Sequence, residues 1–171
     1  MPDVNSVVAD SLASILAINT KIERLNEEAK TERQKALAPF LEALAKSGEV
    51  SAIIVRGYTP GFNDGEPCEH SADVFVNIEE IYGEDLQDTD AGGNLPEELF
   101  EELSYGSADA NRELCTKFGH VYDKPSAEIM NAIRTLIFAT AEEENSTNYF
   151  LSYVLKDGKF EIASGEYDCG Y

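Results

Sequence analysis

The N-terminal third of the chain carries apolar residues at intervals of three and four, the spacing that places side chains on one face of an α-helix. These positions predict a long helix over residues 5–37: Val8, Leu12, Ile15, Ile18, Ile22, Leu25 and Ala29. Pro39 should break or kink this helix, because proline lacks a backbone N–H and its ring clashes with the preceding turn. A short second helix over residues 39–46 should follow and end at Gly48.

Alternating and β-branched segments predict four strands that come in two pairs. The predicted strands cover residues 50–55, 73–77, 149–155 and 160–164. Asp157-Gly158 favours a tight hairpin within the second pair, whereas residues 57–72 form a Gly- and Pro-rich loop of a length that often serves function. Residues 78–94 are predicted to form a short turn and an acidic loop, and further helices are predicted over residues 95–104, 107–118 and 125–144.

The order of these elements predicts an α+β fold. Strands in close pairs favour an antiparallel sheet of about four strands, with helices packed on one side and a long N-terminal helix. No internal repeat or low-complexity linker divides the sequence. We therefore predict a single domain over residues 1–171, with an N-terminal helical arm (1–47), an α+β core (48–164) and a tail (165–171).

The long helix also fits a heptad pattern. The frame runs through Leu12, Ile15, Asn19, Ile22, Asn26 and Ala29, with two asparagines at core positions. A buried asparagine at such a position can fix the register of a two-stranded coiled coil. The other interpretation is a domain helix whose middle is partly exposed. A homodimer through the N-terminal helix therefore stays open at this point, and with it a structural or assembly role.

The chain gives no signal for export or membrane insertion. No apolar run approaches the roughly 18 residues of a membrane span, and no basic segment precedes the first apolar stretch, as a signal peptide requires. The three cysteines, Cys68, Cys115 and Cys169, are odd in number and scattered. We expect reduced thiols and a cytoplasmic location, which would be the host cytoplasm if a phage encodes the protein.

Negative charge is concentrated in the middle third of the chain. The net charge is −20, and residues 57–111 contain 15 acidic side chains and no Lys or Arg. Such a segment repels nucleic acid and anionic lipid and attracts basic surfaces, which predicts neither direct nucleic acid binding nor membrane binding. A solvated face that confers solubility is the alternative interpretation, although solubility surfaces usually mix both signs.

The acidic helix over residues 95–104 holds the densest group of carboxylates. Glu97 and Glu98 recur one turn later as Glu101 and Glu102, about 5–6 Å apart on one face. Phosphates in duplex DNA repeat about every 3.4 Å along each strand, so such a row can occupy a groove that normally holds nucleic acid. Glu97 and Glu98 also suit the positive end of the helix dipole. The predicted partner-binding residues are Asp64, Glu66, Glu79, Glu80, Glu84, Asp85, Asp88, Asp90, Glu97, Glu98, Glu101 and Glu102.

No pattern in the sequence indicates catalysis or a dedicated metal site. The segment that begins at Asp88 fails the EF-hand pattern, because positions 5 and 12 are Gly92 and Leu99. The Cys and His residues at 68, 70, 115 and 120 lack the spacing typical of zinc ligands. Cys68 and His70 with a nearby carboxylate do not indicate a nucleophile, because residues close in sequence rarely form a triad, whose members must converge in space. We predict a non-enzymatic protein without metal or cofactor.

The segment Gly57-Tyr-Thr-Pro-Gly-Phe-Asn-Asp-Gly-Glu-Pro-Cys68 resembles a motif of small uncharacterised proteins from tailed phages. The overall charge is similar to that of phage-encoded DNA-mimic inhibitors, a likeness in charge alone. The loop resemblance implies no assigned activity. The 15 acidic residues without a Lys or Arg in residues 57–111 lead to the hypothesis of an inhibitor that occupies the basic nucleic-acid-binding site of a partner protein. Two alternatives are an immunity-type inhibitor of a basic toxin and an assembly protein that oligomerises through its N-terminal helix.

Overall fold

The computed structural model describes residues 4–62, 64–86 and 94–170. Its helices are α1 (Val4–Ser47), α2 (Asn77–Gly83), α3 (Glu97–Glu102), α4 (Ala108–Lys117), α5 (Ala127–Ile133) and α6 (Ala139–Glu144), with a π-helical turn (Arg134–Phe138) joining the last two. Its strands are β1 (Ala52–Tyr58), β2 (Ser71–Val76), β3 (Tyr149–Lys156) and β4 (Lys159–Gly165).

Helix α1 is one continuous helix of 44 residues, about 66 Å long at 1.5 Å per residue. The predicted break at Pro39 is wrong, because the helix passes through the proline. Leu37, Phe40 and Leu41 on either side of the proline pack against the same core as buried Leu44. We attribute the continuity to this packing, which holds the helix across the one hydrogen bond that proline cannot make. The predicted stop at Gly48 is confirmed, since its φ of +72° is the left-handed conformation that ends many helices.

The four strands form one antiparallel sheet in the order β2-β1-β3-β4. In the central pair, Ile53 lies opposite Tyr153 and Val55 lies opposite Leu151. The β3–β4 hairpin turns through Asp157 and Gly158, which have φ values of 51° and 78°. Two consecutive positive φ values are those of a type I′ turn, so the hairpin predicted from Asp-Gly is confirmed. The α+β class and the long N-terminal helix are also as predicted.

Helices cover both faces of the sheet, so the prediction that they pack on one side is wrong. On one face, Ile53 and Val55 of β1 pack with Leu44 of α1 and with Ile133 and Ile137 of the last helical segment. On the other face, the helices contribute Ile78 and Ile81 from α2, Leu99 from α3 and Cys115 from α4, packed around Ala52 and Ile54. Successive strand residues point to opposite faces, and the continuous apolar run 52–55 of β1 therefore requires cover on both sides.

Helix α2 occupies residues that the sequence predicted to be a turn. Its first free N–H groups are satisfied from elsewhere in the chain, because Ile78 donates to the Val121 carbonyl (3.2 Å) and Glu79 donates to the Tyr122 carbonyl (3.0 Å). A helix of seven residues is too short to be stable by itself. Burial of Ile78 and Ile81, together with these distant acceptors, explains why the segment is helical.

Candidate functional site

The structure joins α2 and α3 into one acidic layer. The Tyr82 hydroxyl at the end of α2 donates to the Leu103 carbonyl beyond α3 (3.2 Å). The rings of Tyr82 and Tyr105 stack with their centroids 4.7 Å apart, and the Tyr105 hydroxyl donates to Asp85 (3.3 Å). These contacts bring the C-terminal ends of the two helices together, and with them the carboxylates that the sequence places on either side of residues 86–96.

Six glutamates of this layer are exposed and form no ion pair with a base among the described residues. We call this set the acidic face, and its members are Glu79, Glu84, Glu97, Glu98, Glu101 and Glu102. On α3, fully buried Leu99 anchors the helix, while the four glutamates around it point to solvent. The helix dipole favours Glu97 and Glu98 in the first turn of α3. Glu101 and Glu102 lie one turn further on, where like charges destabilise a helix by a few tenths of a kcal/mol per pair, so local helix stability does not explain these two.

Glu80 does not belong to the acidic face, although the sequence placed it there. Its carboxylate accepts a hydrogen bond from the Val76 backbone N–H (2.7 Å) and pairs with Lys124 (3.1 Å). The hydrogen bond to Glu80, followed by the attraction of its charge, raises the pKa of Lys124. Only 17% of the Glu80 side chain is exposed. This carboxylate therefore holds the start of α2 and is unavailable to a partner.

Two bases close to the acidic face in sequence, Arg112 and Lys124, pair with carboxylates outside it. Arg112 donates to Asp123 from Nε (2.7 Å) and from Nη2 (2.8 Å), and to Asp109 from Nη1 (2.7 Å). The hydrogen bond from Arg112 is the main cause that lowers the pKa of Asp123. Arg112 and Lys124 thus form their ion pairs with Asp109, Asp123 and Glu80 and not with a member of the acidic face, although the charge of Glu79 also acts on Lys124.

Asp64 and Glu66 lie apart from the acidic face, on the loop between β1 and β2. This loop precedes β2 and α2 follows it, so the two are separated by the six residues of the strand, about 20 Å. The ends of the loop are fixed near α6, where the Thr59 N–H donates to Asn148 (3.0 Å) and His70 Nε2 lies 3.0 Å from Glu142. The structure brings together the acidic residues of α2 and α3 but not those of the loop.

His70 connects the loop between β1 and β2 to Glu142 of α6. Its Nδ1 atom lies 3.3 Å from the Thr59 hydroxyl and its Nε2 atom contacts Glu142, which also accepts a hydrogen bond from Tyr149. His70, Glu142 and Tyr149 border a pocket of about 180 Å³. Because both ring nitrogens of His70 and both carboxylate oxygens of Glu142 are engaged, the cluster holds the loop against α6 and β3.

Asp88 and Asp90, the remaining predicted partner-binding residues, lie outside the described residues. Within the described ranges, no group of three or more Cys, His, Asp or Glu side chains is arranged to hold a metal ion. The predicted absence of a metal, a cofactor and catalysis stays a prediction. No helix in the described part of the chain combines the length and apolar character that a membrane crossing needs.

The three cysteines differ in accessibility, because Cys68 is exposed, Cys169 is intermediate and Cys115 is buried. Burial, and secondarily the charge of Asp123, raise the pKa of Cys115 to about 11, from an ordinary value of 9.0.

We expect Cys115 to react about a hundredfold more slowly than a thiol of ordinary pKa with a thiol reagent at neutral pH, since the thiolate is the reactive form. Absorbance with a chromogenic disulfide reagent should show two fast thiols and a third on unfolding. Three equal rates would contradict the assigned burial, and Cys115→Ser should remove the slow phase alone.

The N-terminal part of α1 extends away from the rest of the protein. Residues 6–29 are all exposed, and the helix first becomes partly buried at Lys30. We call residues 6–29 the arm. Eight of its large apolar side chains are at least 47% exposed: Val7, Val8, Leu12, Ile15, Leu16, Ile18, Ile22 and Leu25. The sequence predicted the apolar stripe but not that the core of its own chain leaves the stripe uncovered.

The acidic face and the arm are two exposed surfaces of the described residues that packing within the chain does not explain. The chain matches no protein-family model, and it shows no significant similarity to a curated protein or to a solved structure.

Proposed function

We propose that this protein is an acidic binding protein that inhibits a partner by occupying the partner's basic, nucleic-acid-binding surface. The observation that carries the proposal is the acidic face, six exposed glutamates on or next to two joined helices, none of them in an ion pair with a base among the described residues. Uncompensated charge of one sign attracts a surface of the opposite sign and speeds association with it. The protein itself would not bind nucleic acid, because its face repels phosphate.

The row on α3 supports competition with nucleic acid in particular. Glu97 and Glu101, and likewise Glu98 and Glu102, are one helical turn apart, about 5–6 Å. Carboxylates at that spacing can contact the lysines and arginines that a duplex would otherwise engage. Because such contacts are electrostatic, the affinity should fall as the salt concentration rises.

The test compares two variants of equal net charge. The first replaces the four α3 glutamates, Glu97, Glu98, Glu101 and Glu102, with lysine. The second replaces four other exposed glutamates, Glu23, Glu27, Glu42 and Glu128, with lysine. Both variants change the net charge by the same amount, so only the position of the charge differs.

A partner is first captured from a host lysate at low salt, and its binding to a fluorescent DNA duplex is followed by anisotropy. The parent protein and the second variant should displace the duplex. The α3 variant should bind the partner about a hundredfold more weakly or worse, because juxtaposed like charges cost several kcal/mol. Equal displacement by both variants would refute the role of the acidic face, and a captured partner without nucleic acid affinity would refute the inhibitory mechanism.

A further inference from the structure

The arm carries an apolar stripe that the rest of its own chain does not cover. Its central positions are about half-exposed, with Ile15 at 52%, Ile18 at 56%, Ile22 at 50% and Leu25 at 47%. Contiguous exposed apolar surface on a folded protein marks an interaction site. A helix that lacks tertiary packing along most of its length is also only marginally stable in water. Both the exposed apolar area and the marginal stability of the helix favour a second apolar surface that packs against the arm.

The stripe follows a heptad frame that differs from the frame with asparagines at core positions. Spacings of three and four connect Val8, Ser11, Ile15, Ile18, Ile22, Leu25 and Ala29. In this frame, Asn19 and Asn26 fall beside the seam instead of within it. Four consecutive core positions, from Ile15 to Leu25, then carry large apolar side chains, which the frame through the two asparagines does not achieve.

We propose that the stripe is covered by the same stripe of a second copy of this chain, in a parallel two-stranded coiled coil. The first core position of each heptad is β-branched in Val8, Ile15 and Ile22, a preference of parallel dimers, and the second positions are Ser11, Ile18 and Leu25, of which Leu25 is the dimer-type residue. The seam from residue 8 to residue 29 spans three heptads, about 33 Å. Beyond it, Arg33 contacts Glu143 of its own chain, so the coil ends where the helix joins the body.

The positions that flank the seam favour the same arrangement. In a parallel coil, the residue before each first core position lies near the residue five positions later on the partner helix. Val7 then meets the partner's Leu12, and Lys21 meets the partner's Asn26, while no pair of like charges forms. Seven of the eight exposed apolar side chains of the arm are covered in this way, and only Leu16 stays outside.

The dimer is an inference independent of the proposed inhibitory function, because it rests on the arm and not on the acidic face. Its consequence is that the α+β cores of the two copies, each with an acidic face, lie at the same end of the coil. Loss of dimerisation and loss of partner binding are therefore separate outcomes, measured on different variants.

The mass of the full chain in solution tests the proposal. At micromolar concentration, sedimentation equilibrium of the parent should give twice the chain mass. Ile18→Lys with Ile22→Lys should give a monomer, because two charged side chains per helix would enter the seam. Leu16→Lys is the matched control on the same helix and should stay dimeric. A monomeric or trimeric parent, or a dimer that survives the two seam substitutions, would overturn the proposal.

A cysteine placed in the seam tests the orientation of the two helices. Ser11→Cys is introduced together with Cys68→Ser and Cys169→Ser, while Cys115 stays in the core. Ser11 faces its own equivalent only in a parallel, in-register coil, so mild oxidation should yield a disulfide-linked dimer. The same chain with Leu16→Cys in place of Ser11→Cys should not cross-link. Absence of the Ser11→Cys cross-link from a dimer of the correct mass would show an antiparallel coil and overturn the parallel arrangement.

Discussion

Replacement of Asn77 with alanine should lower the free energy of unfolding by about 4 kcal/mol. Asn77 is fully buried and joins three segments of the chain. Its side-chain oxygen accepts from the Ser51 N–H (2.9 Å), and its amide donates to the carbonyls of Glu49 (2.7 Å) and Asp123 (2.6 Å). Alanine leaves all three backbone groups without these bonds, and each buried unsatisfied group costs about 1–3 kcal/mol.

The backbone of Asn77 adds a second contribution. Its φ of 67° lies in the left-handed region, which costs an alanine roughly 1–2 kcal/mol and is better tolerated by asparagine. Asn77→Gly separates the two causes, because glycine accepts this φ but makes no side-chain hydrogen bond. Urea unfolding followed by circular dichroism should rank the parent as most stable, then Asn77→Gly, then Asn77→Ala. An alanine variant as stable as the parent would show that the three bonds contribute nothing.

Replacement of Gly57 with alanine should be the second most damaging change, at about 2–3 kcal/mol, although alanine is no worse than glycine in a strand. Gly57 of β1 lies opposite Tyr149 of β3. A Cβ atom at position 57 would overlap Cε1 of the Tyr149 ring and would lie 3.0 Å from its Cζ atom and 3.1 Å from Oε1 of Glu142. The ring cannot move aside easily, because its hydroxyl donates to Glu142.

The chain offers a control for Gly57 and a way to locate the clash. At Gly83, the last residue of α2, a Cβ atom would meet no neighbour within 4 Å and φ is not positive, so Gly83→Ala should be nearly neutral. In a double-mutant cycle, Tyr149→Ser should relieve about 2 kcal/mol of the cost of Gly57→Ala. Burial, and then the hydrogen bond to Glu142, raise the pKa of Tyr149, so the hydroxyl remains a donor throughout the usual pH range. Additive effects of the two substitutions would place the cost of Gly57→Ala elsewhere.

Several elements could be predicted because their signals are local. The 3.6-residue periodicity of residues 8–29 predicted the long helix, and Asp157-Gly158 predicted the tight hairpin. The helical path through Pro39 could not be predicted, because it depends on packing of Leu37 and Leu41 against residues far along the chain. Local rules treat proline as a break, whereas the core holds the helix on both sides of it.

The candidate site was likewise predictable where its signal is local and unpredictable where it depends on distant residues. The sequence located the excess of carboxylates between residues 57 and 111 and the row of four on α3. It could not exclude Glu80, whose neutralising partner Lys124 is 44 positions away. Nor could it separate Asp64 and Glu66 from the acidic face, because that separation follows from the position of the loop at the opposite end of β2.

Local patterns were enough to predict the charge of this protein, the strands and the amphipathic N-terminal helix, since periodicity and turn chemistry act over a few residues. Long-range packing was needed to establish that helices cover both sheet faces, that α2 is a helix, and that α2 and α3 meet through Tyr82 and Leu103. It was also needed to establish that the arm is left uncovered by its own chain. The physical reason is that burial and hydrogen-bond satisfaction are set by residues distant in sequence, which short-range patterns do not record.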